Sequence, residues 1–108
     1  MKSLEACINE KQKDFLQIMA YVYVQSNQFE KAITIYKALW SLFPDSEKLA
    51  FCLGYSYLRT EQFEKALFYV DTYLSRNSSD LGYLLKAKAL SKLGRKHEAK
   101  EAIELFLK

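Results

Sequence analysis

The stretch Asn27-Gln-Phe-Glu-Lys-Ala-Ile-Thr-Ile-Tyr36 returns 34 residues later as Glu61-Gln-Phe-Glu-Lys-Ala-Leu-Phe-Tyr-Val70. Five letters, QFEKA, are identical, and the apolar positions around them keep their places. A fixed period of this size marks a helical repeat array, in which each unit buries its apolar face against the next. Such an array offers an extended surface rather than a pocket for chemistry. A third, more diverged copy is anchored on Ala99, 33 residues after Ala66, which itself follows Ala32 by 34.

The rest of the chain is consistent with that reading. One proline and three glycines in 108 residues, with many Leu, Ala, Lys and Glu, favour helix. Around the anchors, the sequence predicts paired helices over 13–26 and 29–42, 47–60 and 63–76, and 80–93 and 96–107. The expected reversals fall at Ser26-Asn27-Gln28, Thr60-Glu61-Gln62 and Gly94-Arg95, where short polar residues or glycine suit a turn. Pro44 disfavours helix at Phe43, and Asp45, Ser46 or Asp80 can cap a following helix. Phe15, Leu16, Met19, Tyr23 and Val24 recur at helical spacing, as do Ala66, Val70, Tyr73 and Leu74. Tyr21-Val-Tyr-Val24 could locally read as a strand. It is read as helix because the same repeat position holds Tyr55-Ser-Tyr-Leu58 in the second unit.

The pattern resembles tetratricopeptide (TPR) repeats. In the first unit the pattern positions are Leu16, Met19, Ala20, Tyr23, Phe29, Ala32, Tyr36 and Pro44. In the second, Leu53-Gly54-x-x-Tyr57 matches the Leu-Gly-x-x-Tyr core, followed by Phe63, Ala66 and Val70. In the third they are Tyr83, Ala87, Leu90, Gly94, Ala99, Ile103 and Phe106. Ala50 for a larger residue, Ser78 for proline and Lys96 for an aromatic depart from it. The resemblance implies an all-α helix–turn–helix array of three repeats and about six helices, a right-handed superhelix with a concave groove. An N-terminal segment, 1–12, precedes a repeat domain over 13–108, divided at 13–46, 47–79 and 80–108.

In such arrays the first helices line the concave face, where peptides lie. Carried over, the partner-binding positions are Gln17, Tyr21 and Val24, with Gln25, on the first unit. The second offers Phe51, Tyr55, Leu58 and Arg59, and the third Leu81, Leu84 and Lys88, with Lys92. Phe51 and Leu84 have a second reading, as packing between helices. The Lys/Asn clamp with which some arrays hold acidic chain ends is missing, since its positions hold Gln17, Tyr21, Cys52, Leu81 and Leu85. An apolar groove with aromatics suits an amphipathic helix or an extended apolar segment of a protein partner. The chain stops within the last pair, so residues 1–10, a second copy or a partner is expected to cover Phe106, giving a homodimer or heterodimer.

A narrower resemblance lies in Ile8-Asn-Glu-Lys-Gln-Lys-Asp-Phe-Leu16, Tyr23, Phe29-Glu-Lys-Ala32 and Leu39-Trp-Ser-Leu-Phe-Pro44. These are similar to small three-repeat type III secretion chaperones, YscY-like or more broadly SycD-like. That resemblance implies a cytoplasmic bacterial protein that keeps a small export substrate soluble, with the export gate as a further contact. The alternative is a general TPR scaffold in a multiprotein complex.

Enzymatic chemistry finds no foothold. His97, the only histidine, sits between Lys96 and Glu98 with no nucleophile at a meaningful spacing. Cys7 and Cys52 match no metal spacing and read as buried, reduced thiols. Glu30-Lys31 and Glu64-Lys65 read as repeated surface charges, and no phosphate loop or dinucleotide fingerprint occurs. No catalytic residue, cofactor or metal is expected. Net charge is +3, with +4 carried by residues 81–108 and −1 by the rest. Without a nucleic-acid motif, that basic end reads as a solvated helix face, and no nucleic-acid partner is expected. No apolar run approaches the ~20 residues of a membrane span.

Overall fold

A computed structural model describes residues 10–107. Cys7, Ile8 and the leading segment up to residue 9, including its expected role in covering Phe106, lie outside the described residues. Among those described, six helices and no strand occur: α1 (Glu10–Gln25), α2 (Phe29–Leu42), α3 (Glu47–Arg59), α4 (Phe63–Leu74), α5 (Asp80–Lys92) and α6 (Lys96–Leu107). Tyr21–Val24 lies wholly inside α1. This is the all-α repeat array expected from the sequence. The array is elongated, 45 × 27 × 21 Å, with a radius of gyration of 14.6 Å where a globular chain of this length would have about 13 Å.

Helices pack in sequence as three antiparallel pairs, and α3 also touches α5 across the inner layer. The repeated block explains why. In α2 the buried residues are Phe29, Ala32, Ile33, Tyr36 and Leu39, one stripe at three- and four-residue steps. In α4 the same positions hold Ala66, Leu67 and Val70. Of these, Ala32, Ile33, Tyr36, Leu39, Ala66 and Val70 join Ala20, Leu49, Leu53, Tyr57, Leu58, Leu85 and Ala89 in one core that runs through five of the helices. A smaller cluster of Leu67, Leu90 and Ala99, with Leu93 against it, continues the core into α6. The outer face of the last pair is thinner: Ile103, Leu105 and Leu107 are exposed and Phe106 is half-buried.

All three reversals share one hydrogen-bond pattern. Asn27, Glu61 and Gly94 take positive φ, at 61°, 61° and 80°. The amide after each donates back to Tyr23, Tyr57 or Leu90, at 2.8, 2.9 and 2.9 Å. The positive-φ residues donate their own N–H to Val24, Leu58 and Ser91. This paired arrangement satisfies the last carbonyls of α1, α3 and α5 and turns the chain sharply into the next helix. Glycine and asparagine accept the left-handed conformation readily, whereas glutamate does so under strain.

Between units, Ser46 caps α3, its Oγ accepting the Leu49 N–H at 3.3 Å. The cap of α5 is Ser79 and not Asp80: Ser79 Oγ accepts from the Gly82 N–H at 3.3 Å, while Asp80 is already helical. Asp80 then places a negative charge in the first turn, where the helix dipole favours it.

Gly54 sets the closest approach. A Cβ built there would lie 2.7 Å from Val70 Cγ2 and 3.3 Å from the Val70 amide nitrogen. Val70 is fully buried and has no room to retreat. We predict that Gly54→Ala lowers stability by about 1–3 kcal/mol despite the better helix propensity of alanine. Combining it with Val70→Ala should cost less than the two single losses added, as urea melts of the three variants would reveal. Conversely, Glu61→Gly relieves the left-handed strain and should raise stability by about 0.5–1 kcal/mol, read as a thermal midpoint up by about 2–6 °C.

Candidate protein-binding groove

The concave side carries two adjoining cavities of about 500 Å³ each. The first is lined by Tyr21, Val24, Gln25 and Asn27 at the end of α1, Phe51, Cys52, Tyr55 and Arg59 on α3, Leu81 and Leu85 on α5, and Tyr36 below them. The second lies toward the start of α1 and is lined by Asp14, Gln17, Ile18, Tyr21, Tyr36, Lys48, Leu49 and Cys52. Tyr21, Tyr36 and Cys52 belong to both, so the two form one groove across the first helices.

The floor is uncharged. Tyr36 is 3% exposed and lines the groove beside the Cys52 thiol. Burial, then the neighbouring Cys52, pushes the Tyr36 phenol well above the ordinary tyrosine range. Burial likewise pushes the Cys52 thiol up, against smaller opposing effects from the Tyr36 hydroxyl and the Lys48 ammonium. Both groups are therefore neutral at physiological pH, and Cys52 is a poor nucleophile there. Among the described residues no cluster of His, Cys, Asp or Glu could hold a metal ion. No helix there is long and apolar enough to cross a membrane.

The walls are aromatic and held in place by aromatic neighbours. Phe51 meets Tyr73 edge-on at 5.1 Å, and Tyr55 meets Phe29 edge-on at 6.3 Å. The Tyr55 hydroxyl accepts from Arg59 Nη1 at 2.9 Å, and the guanidinium sits 4.8 Å over the Phe29 ring. Tyr21 is different: it is 56% exposed and stands free at the junction of the cavities.

Eight of the twelve positions named from the sequence line this groove: Gln17, Tyr21, Val24, Gln25, Phe51, Tyr55, Arg59 and Leu81. Leu58 does not. It is 5% exposed and belongs to the core, because three residues past Tyr55 the helix has turned it about 60° away. Leu84 is turned by the same amount from Leu81; it is exposed, so it does not pack between helices, yet it lies outside both linings. Lys88 and Lys92 are exposed and also outside them.

Sequence reasoning missed Asp14, Ile18, Asn27, Tyr36, Lys48 and Leu49 as groove residues and took Cys52 and Leu85 only as clamp positions that fail to match. A helical count would have found Cys52: Lys48, Cys52, Tyr55 and Arg59 step by four, three and four along one stripe. Tyr36 carries no such signal, since its α2 stripe is that of a core residue.

The fold is shared with solved TPR structures. The structure of the first TPR of Spaghetti (RPAP3), bound to the HSP90 peptide SRMEEVD, superposes with a TM-score of 0.83 at 20% identity, covering 93% of this chain and 80% of that one. A mutant of MamA superposes with a TM-score of 0.81 at 18% identity over 87% of this chain. This chain spans about half of that structure's length, 52%. No curated protein matches the sequence. The family model described as "Anaphase-promoting complex, cyclosome, subunit 3" matches residues 25–106, from the end of α1 to the last turn of α6. With most of its length so matched, this array of TPR-like repeats belongs to that family.

Proposed function

We propose that this chain is a protein-binding module that takes an apolar helix or extended apolar segment of a partner into the concave groove. One observation carries the reading: two adjoining cavities of about 500 Å³ share an uncharged floor of Tyr21, Tyr36 and Cys52 between aromatic walls. Burying three or four partner side chains at ~1.5–3 kcal/mol each offsets ordering costs and leaves micromolar affinity or better. The Spaghetti structure holds an HSP90 peptide, which illustrates that this fold accommodates a segment of a protein partner.

In its specific form, the proposal is a cytoplasmic bacterial chaperone that keeps a type III secretion export substrate soluble until the export gate takes it. Two features support this form: the residues around Phe15, Phe29–Ala32 and Leu39–Pro44 that resemble such chaperones, and a groove suited to a helix that would otherwise aggregate. No nucleotide is required, because release can be left to the export machine. The second reading is a scaffold joining two folded proteins, which the match to the subunit 3 family favours.

Tyr21 and Leu81 are the residues to change, because each is more than half exposed and neither supports the core. Tyr21→Asp with Leu81→Asp should leave the helical circular dichroism and the thermal midpoint within a few degrees of the parent. The same variant should lose the partner that co-purifies with the tagged parent from its native cells. A small co-purified protein that is unfolded alone identifies the chaperone, and a large folded complex identifies the scaffold. Undiminished co-purification by the double variant defeats the groove assignment.

A further inference from the structure

Arg59 is the one charged residue lining the first cavity. The chain has three arginines, and the other two are neutralised: Arg76 lies 3.8 Å from Asp45, and Arg95 lies 2.7 Å from Glu98. Among the described residues no carboxylate forms an ion pair with Arg59. Its guanidinium is nevertheless held in place, by the Tyr55 hydroxyl at 2.9 Å and by the Phe29 and Tyr55 rings at 4.8 and 5.9 Å. The hydrogen bond uses one of its five N–H donors. The remaining donors stay available at the mouth of an apolar cavity.

From this geometry we propose that Arg59 reads an acidic side chain on the segment that fills the groove. The partner class is thereby narrowed to an amphipathic segment whose apolar anchors meet Tyr21, Phe51 and Leu81, with one aspartate or glutamate beside them. A guanidinium matches a carboxylate through two parallel N–H donors, which fixes register as well as charge. Because the rings already hold Arg59, little side-chain freedom is left to lose when the carboxylate arrives. An acid at this point distinguishes one apolar segment from another, which the uncharged floor alone cannot do. The inference rests on the groove reading above.

The test uses a random peptide library displayed with both ends fused, so that no free terminal carboxylate is present. It is selected on the parent protein, on Arg59→Gln and on Tyr21→Asp with Leu81→Asp. The parent should enrich apolar peptides carrying Asp or Glu at a constant offset from their apolar residues. Changing that acid to its amide should weaken a selected peptide about fivefold on the parent, and leave its affinity for Arg59→Gln unchanged. The acid's advantage should shrink as salt is raised. Arg59→Lys keeps the charge without the two-pronged geometry and should retain part of the preference; it also serves if Arg59→Gln fails to fold. Peptides enriched without a fixed acid, or an acid preference that persists in Arg59→Gln, overturn the role of Arg59 and leave the groove reading standing. Failure of the parent to enrich any peptide defeats both. Preference confined to a second library with free C-termini overturns the side-chain source of the carboxylate.

Discussion

Every other feature of this array depends on how closely α3 and α4 approach at Gly54. There the absence of a Cβ lets the fully buried Val70 side chain rest against the α3 backbone. The contact sets the separation of the middle pair, and the middle pair is the only one with a neighbour on both sides. Its outer contacts then carry α2 on one flank and α5 on the other. With α3 so placed, its residues have different fates. Leu49, Leu53, Tyr57 and Leu58 face the core, while Phe51, Cys52, Tyr55 and Arg59 face the hollow. A wider pair would open the core and tilt the groove-lining residues at once, so packing and binding surface are not separable here.

The reversals act at a second level. Each first helix ends in the same two-bond turn, which engages carbonyls of its last turn within the backbone. The groove's polarity is set largely by its lining side chains. Those at its floor include a phenol and a thiol, both kept neutral by burial. In the first cavity an apolar guest thus meets no charge until it reaches Arg59, while Asp14 and Lys48 line the second.

The repeat made the helices legible. The paired QFEKA blocks place α2 and α4 without ambiguity, and the six helices begin and end within a few residues of the spans that periodicity predicts. Gly54 was legible too, as the small member of Leu-Gly-x-x-Tyr. Three features were less so, each for a physical reason. Leu58 and Phe51 share a side of α3 seven residues apart, and only tertiary packing sends one into the core and leaves the other half-exposed. Tyr36 belongs to a core stripe, yet it also lines both cavities, a surface that the helical pattern of α2 does not describe. Ser79 rather than Asp80 caps α5, a one-residue choice that composition cannot make. Repetition reports backbone architecture well because every unit obeys the same packing rule. It reports the groove less well because the groove is where the units differ.

That difference also bears on the basic third unit. Its +4 excess is not aimed into the hollow: Lys88, Lys92, Lys96 and Lys100 are all exposed and none lines either cavity. Lys86 is tied to Asp71 at 2.9 Å across the junction of α4 and α5, and Arg95 to Glu98 within α6. Solvent-facing charges of this kind act over about a Debye length, so they bias the approach of an acidic partner without selecting among such partners. Selection needs a fixed group at contact distance, beside surface that water leaves when the guest arrives. In the first cavity one cation, Arg59, meets both conditions. The charge that is most abundant and the charge that is best placed therefore sit on different units, the first on the outer face of the third and the second at the groove end of α3.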